Sequence, residues 1–288
     1  MMNTIRMTVV VDNTTAREDL KTEHGLSVWF EGGDHPVLFD TGQGDALKGN
    51  AAALNIDLAA AQSVVLSHGH ADHTGGLSHA LKRARGAQVY MHPDALAPKF
   101  SLRGGTPHNI GLPESARRAL MDNGANWIST MRPRKVAPGI YATGQIPRET
   151  GFEASDGVFF HDAAGQRMDR VLDDQALFAV TPEGLIVLMG CAHAGVINTL
   201  RYVRRITGNK PVLGAFGGIH LRHAKEDQID RTMEALGEFE PRYLGFNHCT
   251  GDRAAEKIRD AFPDAWIEFN AGSRVEIEVP AGVIGAGA

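Results

Sequence analysis

The sequence predicts an α/β (α+β) protein in which short buried strands alternate with amphipathic helices along most of the chain. Short β-branched apolar runs are bounded by Gly, Pro, Asn and Asp, which is typical of strands in a buried sheet. Between these runs, apolar residues recur at helical spacing. With 288 residues, the chain can bury one large core or two smaller ones.

The first part of the chain is predicted to form strands at 5–11, 26–31 and 36–39 and a short helix at 46–54. The third strand ends in Asp40-Thr41-Gly42. An acidic residue at a strand tip can hold a neighbouring ligand histidine through its second ring nitrogen. Asp40 is therefore a candidate for supporting a metal site from behind or for binding the metal itself, with a simple turn-forming Asp as the alternative.

A dense group of ligand-type side chains follows the next strand, where positions 63–77 read Ser-Val-Val-Leu-Ser-His-Gly-His-Ala-Asp-His-Thr-Gly-Gly-Leu. It contains His68, His70, Asp72 and His73. Neutral imidazole and carboxylate are the ligands that Zn²⁺, Fe²⁺ and Mn²⁺ take. A His-rich surface loop or helix cap is the alternative, but strand, ligand run and glycines together favour a metal site.

A helix at 77–85 and a strand at 87–91 are predicted next. This strand ends in His92-Pro93. A histidine at a strand end before Pro is more often structural than a ligand, so we expect His92 to stay outside the site.

The segment 95–148 is basic, with an excess of six positive charges in a chain whose net charge is −5. It contains a Gly- and Pro-rich stretch at 104–107 and a predicted helix at 113–123. We interpret it as an insertion that covers the metal cleft, and its charge indicates an anionic substrate such as a phosphate or carboxylate. A solvated basic face is the alternative. The candidate substrate-binding residues in it are Arg117, Arg118, Arg132 and Arg134.

The second half of the chain repeats the alternation of strands and helices. Strands are predicted at 176–181, 185–189, 211–215, 243–246, 266–269 and 274–279, and helices at 196–207, 226–236 and 252–261. Three of these strands end near glycine-flanked histidines, which are His193, His220 and His248. Because α/β sites form where strand ends meet at one sheet edge, we expect these histidines to join the cluster in a polynuclear metal site.

Composition excludes several other classes of function. The net charge of −5 and the pI near 6.2 argue against a general nucleic-acid or membrane-surface binder. The two cysteines, Cys191 and Cys249, imply no disulfide framework, and no apolar stretch resembles a signal peptide or a membrane span. We therefore expect a cytoplasmic protein whose partner is a small molecule, without nucleic-acid or membrane partners; a homo-oligomer is compatible with the sequence.

The run His68-x-His70-x-Asp72-His73 and the run Leu38-Phe39-Asp40-Thr41-Gly42 resemble signature motifs of the metallo-β-lactamase-fold superfamily. The resemblance covers nearly the whole chain. It implies one domain over 1–288 with an αββα four-layer sandwich, in which two mixed β-sheets pack face to face, helices cover the outer faces and a metal site lies at one edge. In that superfamily the first histidine pair, here His68 and His70, binds one metal, and the pair Asp72 and His73 binds the second.

The later motifs depart from the common pattern of the superfamily. Asp173-Asp174 stands where a Gly-His-Thr histidine is common, and Gly190-Cys191 stands where a bridging Asp is common. The runs around Cys191, His220 and His248 are instead similar to the branch that includes the archaeal enzyme 7,8-dihydropterin-6-yl-methyl-4-(β-D-ribofuranosyl)aminobenzene 5′-phosphate synthase.

This second resemblance implies roles for the later residues. His193 becomes the candidate third ligand and His248 the last ligand. Cys191 is either a thiolate ligand or a residue packed beneath the site, and His220 either faces the substrate as a catalytic residue or binds metal. The implied cofactor is one or two divalent metal ions, with Zn²⁺ expected and Mn²⁺ or Fe²⁺ as alternatives.

These residues predict a metal-dependent hydrolase that uses a metal-activated water to attack an ester, lactone or phosphoester. Asp72 would orient that water, and His220 and the basic segment would bind an anionic group of the substrate. The resemblance implies a transferase as the alternative, in which a dihydropterin methyl diphosphate loses diphosphate. A mononuclear iron oxygenase and a non-catalytic metal sensor are further alternatives. A redox role for Cys191 and Cys249 has little support, because they are far apart in sequence.

Overall fold

The computed structural model describes residues 4–123, 126–153 and 158–279. In chain order, the strands are β1 (Thr4–Val11), β2 (Ser27–Gly32), β3 (Val37–Phe39), β4 (Ser63–Val65), β5 (Gln88–Met91), β6 (Phe100–Ser101), β7 (His108–Asn109), β8 (Trp127–Ser129), β9 (Arg134–Ala137), β10 (Ile140–Ala142), β11 (Phe159–Phe160), β12 (Ala176–Val180), β13 (Leu185–Met189), β14 (Val212–Gly217), β15 (Tyr243–Phe246) and β16 (Arg274–Glu278). The α-helices are α1 (Leu47–Ala53), α2 (Ala71–Thr74), α3 (Leu77–Arg83), α4 (Glu114–Asp122), α5 (Val196–Ile206), α6 (Glu226–Gly237) and α7 (Asp252–Ala261). Single turns of 3₁₀-helix lie at Leu58–Ala60, Pro93–Leu96 and His248–Thr250.

Two large mixed sheets form the centre of the fold. The first has the strand order β16-β1-β2-β3-β4-β5-β8, and the second has the order β15-β14-β13-β12-β10-β9. A small sheet with the order β11-β6-β7 lies beside them. Within each large sheet, antiparallel strands form one part and parallel strands the other.

The predicted four-layer sandwich is confirmed by the way side chains alternate along the strands. On β2, Val28 and Phe30 belong to the core between the two sheets, whereas Trp29 faces the helices outside the first sheet. On β13, Ile186 enters the core between the sheets and Val187 faces the helices outside the second. This period of two is the physical reason for three separate apolar cores and hence for the αββα order.

The parallel strands bring distant parts of the chain to one edge. Strands β3, β4 and β5 run parallel in the first sheet, and β13, β14 and β15 run parallel in the second. The residues that follow their carboxyl ends therefore lie side by side, which is where α/β folds build their sites.

One predicted strand is wrong. Residues 266–269 do not form a strand, although their alternating apolar pattern resembles one; only Trp266 makes an isolated bridge to Leu244. After that contact the chain leaves the edge of β15. It places Phe269 in the core between the sheets, against Phe216 with ring centroids 5.2 Å apart. Tertiary packing of this aromatic side chain thus overrides the local strand pattern.

The basic segment 95–148 is not one insertion over the cleft. Helix α4 packs its apolar stripe, including Ala116 and Leu120, on the outside of the first sheet. Strand β8 extends the first sheet and β9 and β10 extend the second. The reason is that these elements carry apolar faces that must be buried against the main layers. Among the described residues of this segment, those around β6 and β7 border the cavity described below, and Arg148 donates a hydrogen bond to the His193 carbonyl.

The helices within the described ranges include none long and apolar enough to cross a membrane.

Candidate metal centre

Three ring nitrogens from two loops form the first group of ligand-type atoms. One ring nitrogen each from His68, His70 and His193 lies within 4.8 Å of the other two, and all three residues are buried. His68 Nε2 is 2.9 Å from His70 Nδ1. Burial lowers the pKa of His70 to about 4 and the pKa values of His68 and His193 well below the ordinary range. Neutral imidazoles with available lone pairs are the form that binds metal.

A second group surrounds the Asp72 carboxylate. Its Oδ2 atom lies 3.5 Å from His73 Nε2, 3.4 Å from His248 Nε2 and 3.3 Å from His24 Nε2. Burial would raise the pKa of Asp72, but His73 and His248 outweigh burial and hold it well below its ordinary value. The carboxylate is therefore ionised and suited to a cation. His24 was not predicted from the sequence, because a single histidine in a polar loop carries no ligand pattern.

Asp40, at the tip of β3, lies behind His73. Asp40 Oδ2 is 2.7 Å from His73 Nδ1, and its two oxygens also accept hydrogen bonds from the Ser67 amide and hydroxyl at 2.7 and 2.6 Å. Burial would lower the pKa of His73, but Asp72 and Asp40 outweigh it and raise that pKa to about 9. Asp40 thus fixes the ring of His73 with Nε2 directed at the site, a typical second partner of a ligand histidine.

Cys191 lies between the two groups. Its Sγ is 3.2 Å from His73 Nε2, and it lies within 4.8 Å of ligand atoms that include those of His68 and His248. The Cys249 sulfur is close to it, and the two sulfurs and one ring nitrogen of His248 all lie within 4.8 Å of one another. The Cys249 sulfur accepts a hydrogen bond from the His220 amide at 3.2 Å, so it is also held by the backbone. The fold therefore brings together two free cysteines that are distant in sequence.

Four non-glycine residues at this edge have a strained backbone. Asp40, Ala192, His220 and His248 all have φ between 49° and 55°, in the left-handed region that non-glycine residues seldom occupy. Each such residue costs on the order of 1 kcal/mol or more and persists only where the surroundings impose it. His220 lines the cavity and lies close to Cys191 and His193, so both of its predicted roles agree with its position.

The sequence profile of the metallo-beta-lactamase superfamily matches residues 20–196, which is more than half of the chain. The chain belongs to the metallo-β-lactamase superfamily.

Individual relatives agree with this membership. The chain is 29% identical over 271 residues to 7,8-dihydropterin-6-methyl-4-(beta-D-ribofuranosyl)-aminobenzene-5'-phosphate synthase of Methanocaldococcus jannaschii, covering 88% of this chain and 90% of that enzyme. It is 30% identical over 253 residues to an uncharacterized protein of the same archaeon, covering 87% and 92% of the two chains. The crystal structure of Tm1679, a metal-dependent hydrolase of the beta-lactamase superfamily, superposes with a TM-score of 0.80 at 29% identity, covering 95% of this chain and 99% of that one.

The donor set fits the divalent metals that the metallo-β-lactamase superfamily typically binds. The Nε2 atoms of His193 and His248 are buried and have no hydrogen-bond partner among the described residues. A buried nitrogen without a partner is costly unless something binds it. A divalent cation at each ligand group would satisfy these atoms.

Asp173 and Asp174 brace the ligand loops of this metallo-β-lactamase fold. Asp173 Oδ2 accepts a hydrogen bond from Gly69 N, between the first two histidines, at 2.7 Å, and Asp174 Oδ2 accepts one from Ala194 N at 2.8 Å. The buried Lys99 ammonium lies 2.8 Å from Asp173 Oδ1 and 2.9 Å from an oxygen of Asp169. The acidic pair therefore supports the backbone around the ligands, a function that the sequence did not predict.

A cavity of about 400 Å³ opens over the ligands. It is bordered by two arginines, Arg103 and Arg222, and by the ring of Phe159. Arg222 is anchored by a hydrogen bond from Nη2 to the His248 carbonyl at 2.9 Å. Positive charge at the cavity wall suits an anionic ligand, although these are not the arginines that the sequence pointed to.

The four arginines predicted to bind substrate are not among the residues that line this cavity. On α4, Arg117 donates to the Leu96 carbonyl and Arg118 forms an exposed ion pair with Glu114. Arg132 and Arg134 are exposed near β9. Their charges followed from composition, but only the strand order decides which side of the molecule they reach.

His92 is also outside the ligand groups formed by the described residues. Its Nδ1 accepts a hydrogen bond from Asp94 N at 3.2 Å and caps the 3₁₀ turn that follows β5.

Proposed function

We propose that the chain is a metal-dependent hydrolase that acts on an ester, lactone or phosphoester of an anionic small molecule. The observation that carries the proposal is that members of both ligand groups line one cavity together with two arginines; these residues are His70, His193, Asp72, His248, Arg103 and Arg222. A cation site with an open side and nearby positive charge suits attack on an anionic ester.

The chain's own residues divide into two metal positions. His68, His70 and His193 would hold one ion, and Asp72, His73 and His248 would hold the other; the short distances within each group support this assignment. When bound, a divalent metal lowers the pKa of a coordinated water to about 7 and polarises a carbonyl or phosphoryl oxygen. Zn²⁺ fits this mixed imidazole and carboxylate donor set, and Mn²⁺ or Fe²⁺ are the alternatives.

The remaining residues would position the substrate. The Arg222 guanidinium, anchored on the His248 carbonyl, would pair with the anionic group. Phe159 lies with its ring centroid 5.1 Å from that of His70 and 5.3 Å from that of His193, so it limits access of water from that side. The Asp72 carboxylate would orient the attacking group, and the half-buried His220 imidazole would contact the departing oxygen.

A transferase that displaces diphosphate is the second candidate. The observation that favours it is the similarity, over nine-tenths of that enzyme's length, to the M. jannaschii protein named as a synthase. In that reaction an aminobenzene carbon would take the place of water as the attacking group. The same ligand groups and the same cationic wall would serve both reactions.

A single experiment separates these candidates. Protein supplemented with Zn²⁺, Mn²⁺ or Fe²⁺ is incubated in H₂¹⁸O with carboxylic and phosphoric esters, lactones and a dihydropterin methyl diphosphate, with and without an aminobenzene acceptor. Mass spectrometry then identifies the products. Incorporation of ¹⁸O into a product supports hydrolysis, whereas a condensed product without ¹⁸O supports transfer. Metal binding without turnover on any substrate would contradict both and favour a sensor.

A further inference from the structure

His24 occupies a position that the metal-ligand pattern of the sequence did not contain. Its Nε2 lies 3.3 Å from Asp72 Oδ2, and its ring centroid is 5.1 Å from that of His248. One ligand atom each from His24, Asp72 and His248 lies within 4.8 Å of the other two. The imidazole also borders the cavity.

The distances around Asp72 match those between ligands of one tetrahedral ion. Zinc lies about 2.0–2.2 Å from nitrogen and oxygen ligands, so two ligands at a tetrahedral angle are roughly 3.4 Å apart. The Asp72 Oδ2 atom is 3.3 Å from His24 Nε2 and 3.4 Å from His248 Nε2. His24 therefore stands at ligand distance from this carboxylate, as closely as His248 does.

The loop that carries His24 is held rigidly on one side by Glu23. One carboxylate oxygen of Glu23 accepts hydrogen bonds from the Gln43 and Gly44 amides at 2.9 and 3.1 Å. The other accepts from the Asp45 and Ala46 amides at 2.8 and 3.0 Å. Four backbone donors on one carboxylate fix the residue next to His24 against the loop that follows β3.

The loop is held on the other side by the Asp72 backbone. Leu26 N donates to the Asp72 carbonyl at 3.3 Å. Gly25 has φ of 155°, and a Cβ there would approach the Asp72 carbonyl oxygen to 2.5 Å, so only glycine permits this contact. His24 is thus fixed directly beside the residue that it faces.

Asn13 couples this loop to His248. Its Oδ1 accepts a hydrogen bond from Gly25 N at 3.2 Å and lies 2.9 Å from His248 Nδ1, and its Nδ2 donates to the His248 carbonyl at 3.3 Å. This arrangement directs the buried His248 Nε2 toward Asp72, where that nitrogen has no hydrogen-bond partner among the described residues. A ligand histidine whose second nitrogen is held in this way is typical of metal sites.

We propose that His24 is a ligand of the second metal position and forms its solvent-facing side together with Asp72 and His248. The proposal rests on the metal-dependent function proposed above. The side chain of His24 is 61% exposed, so it closes the site from the cavity and solvent side while His248 closes it from within. The second position is then a three-element site, built by the loop before β2, the 63–77 cluster and the tip of β15.

The test measures metal binding and does not depend on activity. Metal-free His24→Ala and wild-type protein are titrated with Zn²⁺ against a chromophoric chelator, and bound metal is counted by elemental analysis. The matched control is His223→Ala, which removes another exposed histidine at the same cavity that belongs to none of the ligand groups formed by the described residues. We expect two ions in wild type and in the control. In His24→Ala we expect an unchanged first affinity and a second affinity weakened by more than about 100-fold, beyond the 10–100-fold typical of partners that only support a ligand.

Rescue separates ligation from a structural effect. Because His24 is exposed, free imidazole can enter the space that the alanine leaves, and it should restore binding of the second ion. Two ions bound tightly by His24→Ala, one ion bound by wild type, or no rescue by imidazole would each overturn the proposal and leave the proposed function intact. A wild-type chain that binds no metal would instead overturn the proposed function.

Discussion

Substituting Lys99 by Met tests whether the buried ion cluster supports the first metal position. The side chains of Lys99 and Asp173 have no exposed surface and that of Asp169 only 2%. Methionine keeps most of the volume of the lysine stem but removes its charge. Two buried carboxylates then lose the ammonium that lies 2.8 and 2.9 Å from them.

The expected cost follows from this burial. Removing one partner of a buried ion pair destabilises a protein by about 3–5 kcal/mol, because the remaining charge stays buried without compensation. At about 2 °C per kcal/mol for a chain of this size, the melting temperature should fall by roughly 6–10 °C. Asp173 also accepts the hydrogen bond from Gly69 N between the first two ligand histidines, so its displacement should weaken the first metal about 10–100-fold.

The assay compares denaturant unfolding, melting temperature and Zn²⁺ titration of Lys99→Met with those of Lys257→Met. Lys257 pairs with Glu226 and Asp230 on the surface, where ion pairs contribute little. We expect the control to melt close to wild type and to bind metal normally. Equal effects of the two substitutions would refute the argument, as would a destabilised Lys99→Met with unchanged metal affinity.

Three further predictions concern the site. His193→Ala should abolish tight binding of the first ion, whereas His92→Ala should still bind it. Elemental analysis of both variants measures the bound metal. Metal retained by His193→Ala would contradict the assignment of His193 as a ligand. The pKa of His73 is raised to about 9 without metal, so a metal that binds below that pH must displace the proton of this histidine. The affinity of the second metal position should therefore rise with pH up to about 9 and then level off. Calorimetry in buffers of different ionisation enthalpy should detect the released proton, and its absence would contradict the assignment of His73 as a ligand. Arg222→Met should raise the KM for an anionic substrate roughly tenfold or more and leave the KM for a neutral substrate unchanged. Arg118→Met, on α4, is the control and should change neither KM. Equal effects of Arg222→Met on both substrates would contradict a role in anion binding.

The sequence by itself predicted alternating strands and helices and the cluster in the first sheet, and the resemblance of its motifs to a known superfamily implied the four-layer sandwich. Short apolar runs such as 185–189, bounded by turn residues, indicate buried strands, and that signal is local. The cluster was equally predictable, because His68, His70 and Asp72 follow one strand within a few residues. Ligands so close in sequence need no long-range packing to come together.

The tertiary structure alone decided which other residues lie near this cluster. His24 lies beside Asp72 of the cluster, Asn13 beside His248, and Lys99 beside Asp173, because the fold brings loops that are distant in sequence to one edge. The same order carries Arg117 and Arg134 away from the cavity, although their charges favoured a role there. Local patterns indicate the secondary structure and the ligand-type side chains of a segment. The pairing of strands that are distant in sequence determines where those side chains lie, and no short window of sequence contains that pairing.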